Sequence, residues 1–508
     1  MKRKMLSRLM AASLAAIMTV GMAGCGDNAD GSSDSGNTGN QGSDTGNQGS
    51  DTGNQGSDTG NQGGEDVGPY GAPLVDPATG ATYDLGGMEI IVADWFTGPA
   101  GDPRNDYEEA LNDYHDWLQE TYHFTLVKEN HYGWGDANQI LVQMSTSAPE
   151  GNIIYCIPRT VDAVSAMQAG LMFDVATLDC VDFTEEKWTK NGVSDAWRTG
   201  DSVYCFYAGG SEPRTGLYFN RRVLEDAGIN PDSIYEMQSN GTWTWDAWVD
   251  MMSKVQRDTN ADGEIDVYGC VQNNGNMIMA AVISNGANLV NRNADGTYSL
   301  AVNSDAASKA LHWATDEITT KWFEPYDSGA NWEQYKDLFK SGTAAFMVED
   351  GYAGTPGNFL AGNDDTGIAP MEDDYGFALF PKGPDADAYY WKQSNNLFCL
   401  PANYDYDTAW KIMFAYNLWT DDVPGYEGYD GQMVAYYQGM RDVEAVDNTV
   451  KYMTSGHGVD TWHELVSGLD TNAPFLWSLY AGADVDAVID GVIVPWQTAI
   501  DETNAKIK

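Results

Sequence analysis

From about residue 87 the chain alternates short apolar runs with stretches whose apolar residues recur every three or four positions. Residues 88–93 read as a buried strand. Residues 104–122 read as a helix with Tyr107, Leu111, Tyr114, Leu118 and Tyr122 on one face. The alternation continues with a strand at 124–127, a helix at 136–144, a strand at 152–157 and a helix at 161–169. Strands and helices at this pitch imply βαβ units and a parallel sheet. Ligands of such sheets sit at the carboxyl ends of the strands. The residues just beyond those ends are Asp94, Trp95 and Phe96, then 128–134, then Pro158 and Arg159.

The pattern then changes. A strand end near Tyr218 runs into a helix stopped by Gly228. Thr244 caps a Trp-rich helix reaching about residue 257, and Ser304 caps a long helix predicted to Phe323. Helices outnumber strands here, which suits a second lobe. Residues 9–22 are also apolar and follow Lys2, Arg3, Lys4 and Arg8. That run is too short for a comfortable membrane span and reads as a secretory signal.

Composition sharpens this picture. The 508 residues carry 27 Lys and Arg against 75 Asp and Glu, a formal charge of −48. Phosphate binding wants clustered basic side chains, so a nucleic-acid partner is excluded, as is a polybasic membrane surface. Seventeen Trp separate the chain from aromatic-poor acidic polymers that stay unfolded. Residues 26–67 hold no large apolar side chain before Val67, and TGNQG begins at Thr38, Thr45, Thr52 and Thr59. Such a stretch cannot bury enough surface to order itself, and is expected to be a flexible tether reaching roughly 35–40 Å. Without signal and tether, the remaining 23 basic and 67 acidic residues leave the body at −44.

Two resemblances follow. Met22, Ala23, Gly24 and Cys25 resemble the lipobox of bacterial lipoproteins, which implies cleavage after residue 24 and acylation of Cys25. GLYFNRRVLEDAGIN (216–230), TWTWDAWVDMMSKV (242–255), FKSGTAAFMVEDGY (339–352) and YGFALFPKGPDAD (375–387) come in order. Together they resemble the extracellular solute-binding lipoproteins of ABC transporters, the carbohydrate-binding family 1 in particular. The resemblance implies an α/β, type II periplasmic-binding-protein-like fold, with two lobes, a hinge and an interlobe ligand cleft. One lobe would comprise about 86–208 and 376–425, the other about 215–372 and 430–508, after a signal at 1–24 and a tether at 25–67. It further implies a monomer, lipid-anchored on the outer face of a Gram-positive cell membrane, handing a carbohydrate to ABC permease subunits without catalysis. A crossing near 207–215 would bring Glu212 and Arg214 to the cleft.

Sugars present apolar faces to aromatic rings and rim hydroxyls to paired polar groups. Trp95, Tyr132 and Trp134 on first-lobe loops, Arg159 after the third strand, and Glu212 are candidates on position. Tyr352, Trp391 and Trp477 are candidates by resemblance. Each also fits a core role, and Trp243, Trp245, Trp248, Trp313 and Trp322 are assigned to core. Anionic sugars are disfavoured by the body's charge unless Arg159 and Arg214 line the cleft.

Asp258, Asn260, Asp262, Glu264 (through its carbonyl) and Asp266 match oxygen-donor positions of an EF-hand-type loop, with Gly263 at the sharp turn. Position twelve is Gly269, so the bidentate Glu is missing. A structural Ca²⁺ or a metal-free Asx-rich turn both fit; no organic cofactor is expected. Residues 293–296 read as a hairpin turn. His115, His123 and His131 are too scattered for zinc. No nucleophile elbow or phosphate loop occurs. A secreted glycoside hydrolase, and an adhesin or non-sugar receptor on the same scaffold, remain the alternatives. Beyond Cys25 there is an odd set of five cysteines, so at least one thiol is free.

Overall fold

Side chains alternate across a strand, and β1 (Met88–Asp94) and β3 (Asn152–Ile157) each feed two cores, while β2 (Phe124–Asn130) feeds only the first. Ile90, Val92, Leu126, Ile154 and Cys156 enter one cluster. Ala93, Ile153, Tyr155 and Ile157 enter the other. The first face is covered by α1 (Asp106–Tyr122) through Tyr114, Leu118 and Tyr122. The second is covered by α2 (Ala137–Met144) and α3 (Thr160–Gln168). Pairing is parallel, Ile91 opposite both Val127 and Ile153. The computed structural model describes residues 68–98, 101–146, 151–272, 274–325, 329, 331, 333–363, 367–456 and 458–507. The signal, Cys25 and the repeats lie outside the described residues. No helix among the described residues is long and apolar enough to cross a membrane.

The second lobe is built on β4 (Thr215–Asn220), which leads into α4 (Arg221–Asp226) with Asn220 as its cap. Next come α5 (Trp245–Val255), capped by Thr244, then β5 (Tyr268–Gln272), α6 (Asn274–Ser284) and β6 (Ala344–Asp350). With β7 (Tyr375–Ala378) the strand order is β7-β4-β6-β5. Beta4 runs antiparallel to both β6 and β7, while β6 is parallel to β5. Its single large core holds Trp243, Trp245 and Trp248, with Trp313 and Trp322 packed against it. Trp245 and Trp313 stack at 3.9 Å. Residues 293–296 do join a hairpin, Val290–Arg292 to Tyr298–Leu300.

The chain then returns to the first sheet. Beta8 (Leu397–Cys399) adds antiparallel to β3, giving the order β8-β3-β1-β2, and α7 (Tyr406–Trp419) packs on its face. It crosses back to α8 (Gly431–Gly439) and ends in α9 (Val485–Asn504). Three boundaries differ from expectation. Residues 375–380 belong to the second lobe, because β7 pairs with β4 and Tyr375, Phe377 and Phe380 lie in its core; the return falls at about 391–397 instead of 376. Order begins before residue 87: a Val75–Thr82 bridge precedes β1 and Tyr70 packs edge-on against Tyr114 at 5.1 Å. The helix after Ser304 is regular only over Asp305–His312 and widens over Trp313–Thr319, the wider turn accommodating Trp313 on Trp245.

The β4–β7 contact is close-packed. A Cβ on Gly376 would lie 2.1 Å from the Phe219 ring. Gly376→Ala is therefore expected to destabilise the second lobe by about 1–3 kcal/mol through overpacking, measured as a lowered midpoint in urea unfolding.

Candidate functional site

The first-lobe wall is shaped by one buried carboxylate. Asp94, at the end of β1, accepts from Phe96 N at 2.9 Å, Thr97 N at 2.7 Å and the Thr97 hydroxyl. This turn displays the rings that follow it. Trp95 meets Phe96 edge-on at 5.2 Å and Trp134 at 5.4 Å, and Phe96 and Trp134 are 50% and 56% exposed. Tyr132 lies beneath them. It is buried, and its hydroxyl bridges the carbonyls of Ala93 and Cys156, tying the ends of β1 and β3 together. Its ring thus supports the wall instead of facing solvent. Arg159 donates from Nε and Nη2 to both carboxylate oxygens of Asp162, at 2.5 and 3.0 Å.

Two chain crossings meet side by side, and buried amides stitch them together. Gln393 donates to Asn191 O at 2.7 Å and Ser211 Oγ at 2.8 Å, and accepts from Gly458 N. Asn191 in turn donates to the carbonyls of Tyr207 and Gly209. Glu212 N donates to Asn395 Oδ1, and Asn396 donates to the Glu212 carboxylate at 2.6 Å. Arg214 pairs with Glu212 at 2.6 Å, reaches Asp350 at 3.8 Å and donates to Ser394 O at 2.8 Å. Burial alone would lower the Arg214 pKa, but Glu212 and Asp350 more than offset it, and the guanidinium stays charged. A cavity of about 50 Å³ behind the crossing, lined by Thr160, Asn191, Trp197, Gln393, Asn395 and Trp462, has room for little more than water.

The second-lobe wall is the end of β6. Asp350 accepts from Thr215 Oγ1 at 2.8 Å. Glu349 is buried and accepts from Tyr335 OH, Asp350 N and Asn276 Nδ2. Tyr352 follows, 39% exposed. The fields of Arg214 and Asp350 reach Tyr352, and those of Glu212, Arg214 and Asp350 reach Tyr436 on α8. Across the gap, Asp94 and Glu212 both act on Cys156 at the end of β3. Lys128, two residues before the end of β2, and Tyr352 are both open to solvent, yet desolvation lowers the pKa of the first and raises that of the second.

The structure therefore gathers Trp95 and Trp134 on one wall, Glu212 at the hinge and Tyr352 on the other. Trp391 is buried at the return crossing against Tyr452, at 5.2 Å. Trp477 is 43% exposed, with Tyr480 as its ring partner. Tyr207, Asp350, Asn395, Asn396 and Tyr436 were not singled out by the sequence. A run of five polar residues, 392–396, between Trp391 and Leu397 was the available signal for a crossing.

A model of the family described as bacterial extracellular solute-binding protein matches residues 121–417, well over half the chain. The chain belongs to this family. This solute-binding protein is similar in structure to maltose-bound MalE3 of T. maritima, with TM-score 0.51 and 13% identity over 82% of this chain and 99% of that one. A Streptococcus pneumoniae solute-binding protein in complex with the blood group A-trisaccharide gives 0.48 and 14%, over 82% and 99%. The GacH receptor of Streptomyces glaucescens, solved unliganded and with acarbose, gives 0.46 and 15%, over 82% and 97%. No curated protein matches the chain. The family consists of binding proteins, not enzymes, and the two-lobed α/β fold is the one its members share.

The loop at 258–266 is closed by its own hydrogen bonds. Asp258 accepts from the amides of Asn260, Ala261 and Gly263; Asp266 accepts from Thr259 N and Oγ1 at 2.6 Å. Gly263 has φ 96°, which suits glycine. Among the described residues no three His, Cys, Asp or Glu side chains stand in metal-binding geometry. The described cysteines, Cys156, Cys180, Cys205, Cys270 and Cys399, are free thiols.

Glu349 yields a pH prediction. Burial, then the Asp350 charge, pushes its pKa to about 7 from the ordinary 4.5. Between those values the folded protein keeps a proton that the unfolded chain releases, so stability falls as pH rises through this window and levels off above 7. Glu349→Gln should flatten that slope and raise stability at pH 8 by about 2–3 kcal/mol, measured by denaturant titration from pH 4.5 to 8.

Proposed function

We propose that this solute-binding protein closes its two lobes on a carbohydrate, an oligosaccharide, and delivers it to the permease of an ABC importer. The observation that carries the reading is the ring cluster of half-buried Trp95 with exposed Phe96 and Trp134, together with a hinge rich in carboxylate and amide groups. Apolar rings suit the C–H face of a pyranose, and the polar hinge suits its hydroxyls. In this reading Trp95 and Trp134 are platforms, Glu212 takes a hydroxyl and Tyr352 closes over the ligand. The maltose-bound T. maritima protein holds its sugar in a fold of the same kind. The chain acts as a monomer tethered through acylated Cys25 on the outer membrane face, and the mass of the mature N-terminus checks that anchor.

The hydrolase alternative gains nothing from Glu349. Its pKa suits a general acid, but both its oxygens are engaged within the protein. Titration of tryptophan fluorescence with neutral oligosaccharides should show saturable binding with no new product by chromatography. Trp95→Ala should weaken that binding about tenfold or more, on the order of 1.5 kcal/mol. Turnover of the bound sugar would reject the receptor reading.

The loop at 258–266 is proposed as a structural calcium site. Donor spacing and the left-handed turn at Gly263 support it; the carboxylates must exchange their amide partners for the ion. Saturating calcium should raise the melting temperature of chelator-treated protein, and an unchanged value rejects the site.

A further inference from the structure

Glycans that carry carboxylate, phosphate or sulfate are held in protein sites chiefly by guanidinium forks, which match two anionic oxygens at once. Two arginines stand near this cleft, and both forks are already occupied. Arg159 spends two donors on Asp162. Arg214 spends its donors on Glu212, Asp350 and the Ser394 carbonyl, so the hinge carries two carboxylates for one cation. The side chains of this trio are only 16–21% exposed, which limits screening by water. Of the ammonium groups nearby, Lys336 is paired with Glu333, and Lys128 on β2 makes no ion pair among the described residues but stands in the field of Asp94. Around them the phenols of Tyr352, Tyr207 and Tyr436 are neutral donors.

Resting on the carbohydrate reading, we propose that this cleft selects neutral or amine-bearing glycans and rejects uronates and other anionic ones, because Glu212, Asp350 and Asp162 pre-empt its arginines. The carboxylates accept from hydroxyl or ammonium groups of the ligand, whereas an added anion meets like charge from carboxylates that are themselves largely shielded from water. Selectivity is thus set by acidic residues that lock the cations, not by the absence of cations.

The test is calorimetric titration of the full mature chain with trisaccharides of several backbones, each in neutral, 2-amino and 6-carboxylate form. For any backbone that binds, the neutral or amino form should bind at least tenfold tighter than the uronate. A uronate that binds equally or more tightly overturns the inference while leaving the carbohydrate reading intact. Silence from every backbone and form overturns both, a result distinct from the first. The Glu212→Gln, Asp350→Asn double variant frees the Arg214 fork and should raise uronate affinity at least tenfold; a folded variant with no rise also overturns the inference. If the variant does not fold, the wild-type series decides alone.

Discussion

The structure depends on satisfying buried polar groups where the chain passes between lobes. Apart from a two-residue pairing of Lys392–Gln393 with Val459–Asp460, the crossings lie outside the sheets, so most of their amides and carbonyls have no ladder to pair with, and an unpaired buried group costs about 1–3 kcal/mol. Asn191, Gln393 and Asn395 supply the partners from side chains, holding residues 207–215 and 391–397 together as a ribbon. Arg214 adds the charge that lets Glu212 and Asp350 lie close together. This arrangement links the two sheets without merging them. Gly209, with φ 110°, sits at the start of the ribbon, where a left-handed backbone favours glycine.

Much of the fold was legible in the sequence, for clear physical reasons. Beta1, β3 and α1 could be read because each repeats its apolar residues at the period of its own geometry, and caps such as Thr244 and Ser304 carry their signal locally. Beta7 was misplaced because Tyr375–Ala378 is buried on both faces. A strand buried on both faces says only that it is inside, not which sheet it joins. Tyr70 was missed because one ring docked on α1 has no period at all.

The site was legible only in part. Trp95 and Trp134 could be found because they follow strand ends, a position fixed by topology. Tyr132 shares that position but is turned inward by its hydroxyl, which no spacing reveals. Arg159 and Arg214 could be located, but their neutralisation could not. Asp162 is three residues from Arg159, whereas Asp350 is 136 residues from Arg214, and it arrives only through the pairing of β6 with β4. Charge balance at a cleft is a property of three dimensions, and composition supplied only its sum.

The late return of β8 has a consequence for how the molecule is made. Beta3 receives its outer neighbour only when Leu397 pairs with Ile157, about 240 residues further along the chain. At typical synthesis rates of about 5–20 residues per second, that interval lasts roughly 12–50 s. Until then the apolar strand NIIYCI is a bare sheet edge, the kind of template on which chains aggregate. All four strands of the second sheet are in hand before β8 exists. The sheet that begins the protein is therefore the later of the two to be completed, and a nascent chain needs its β3 edge shielded, by delayed folding or by a chaperone, until residue 399 has emerged.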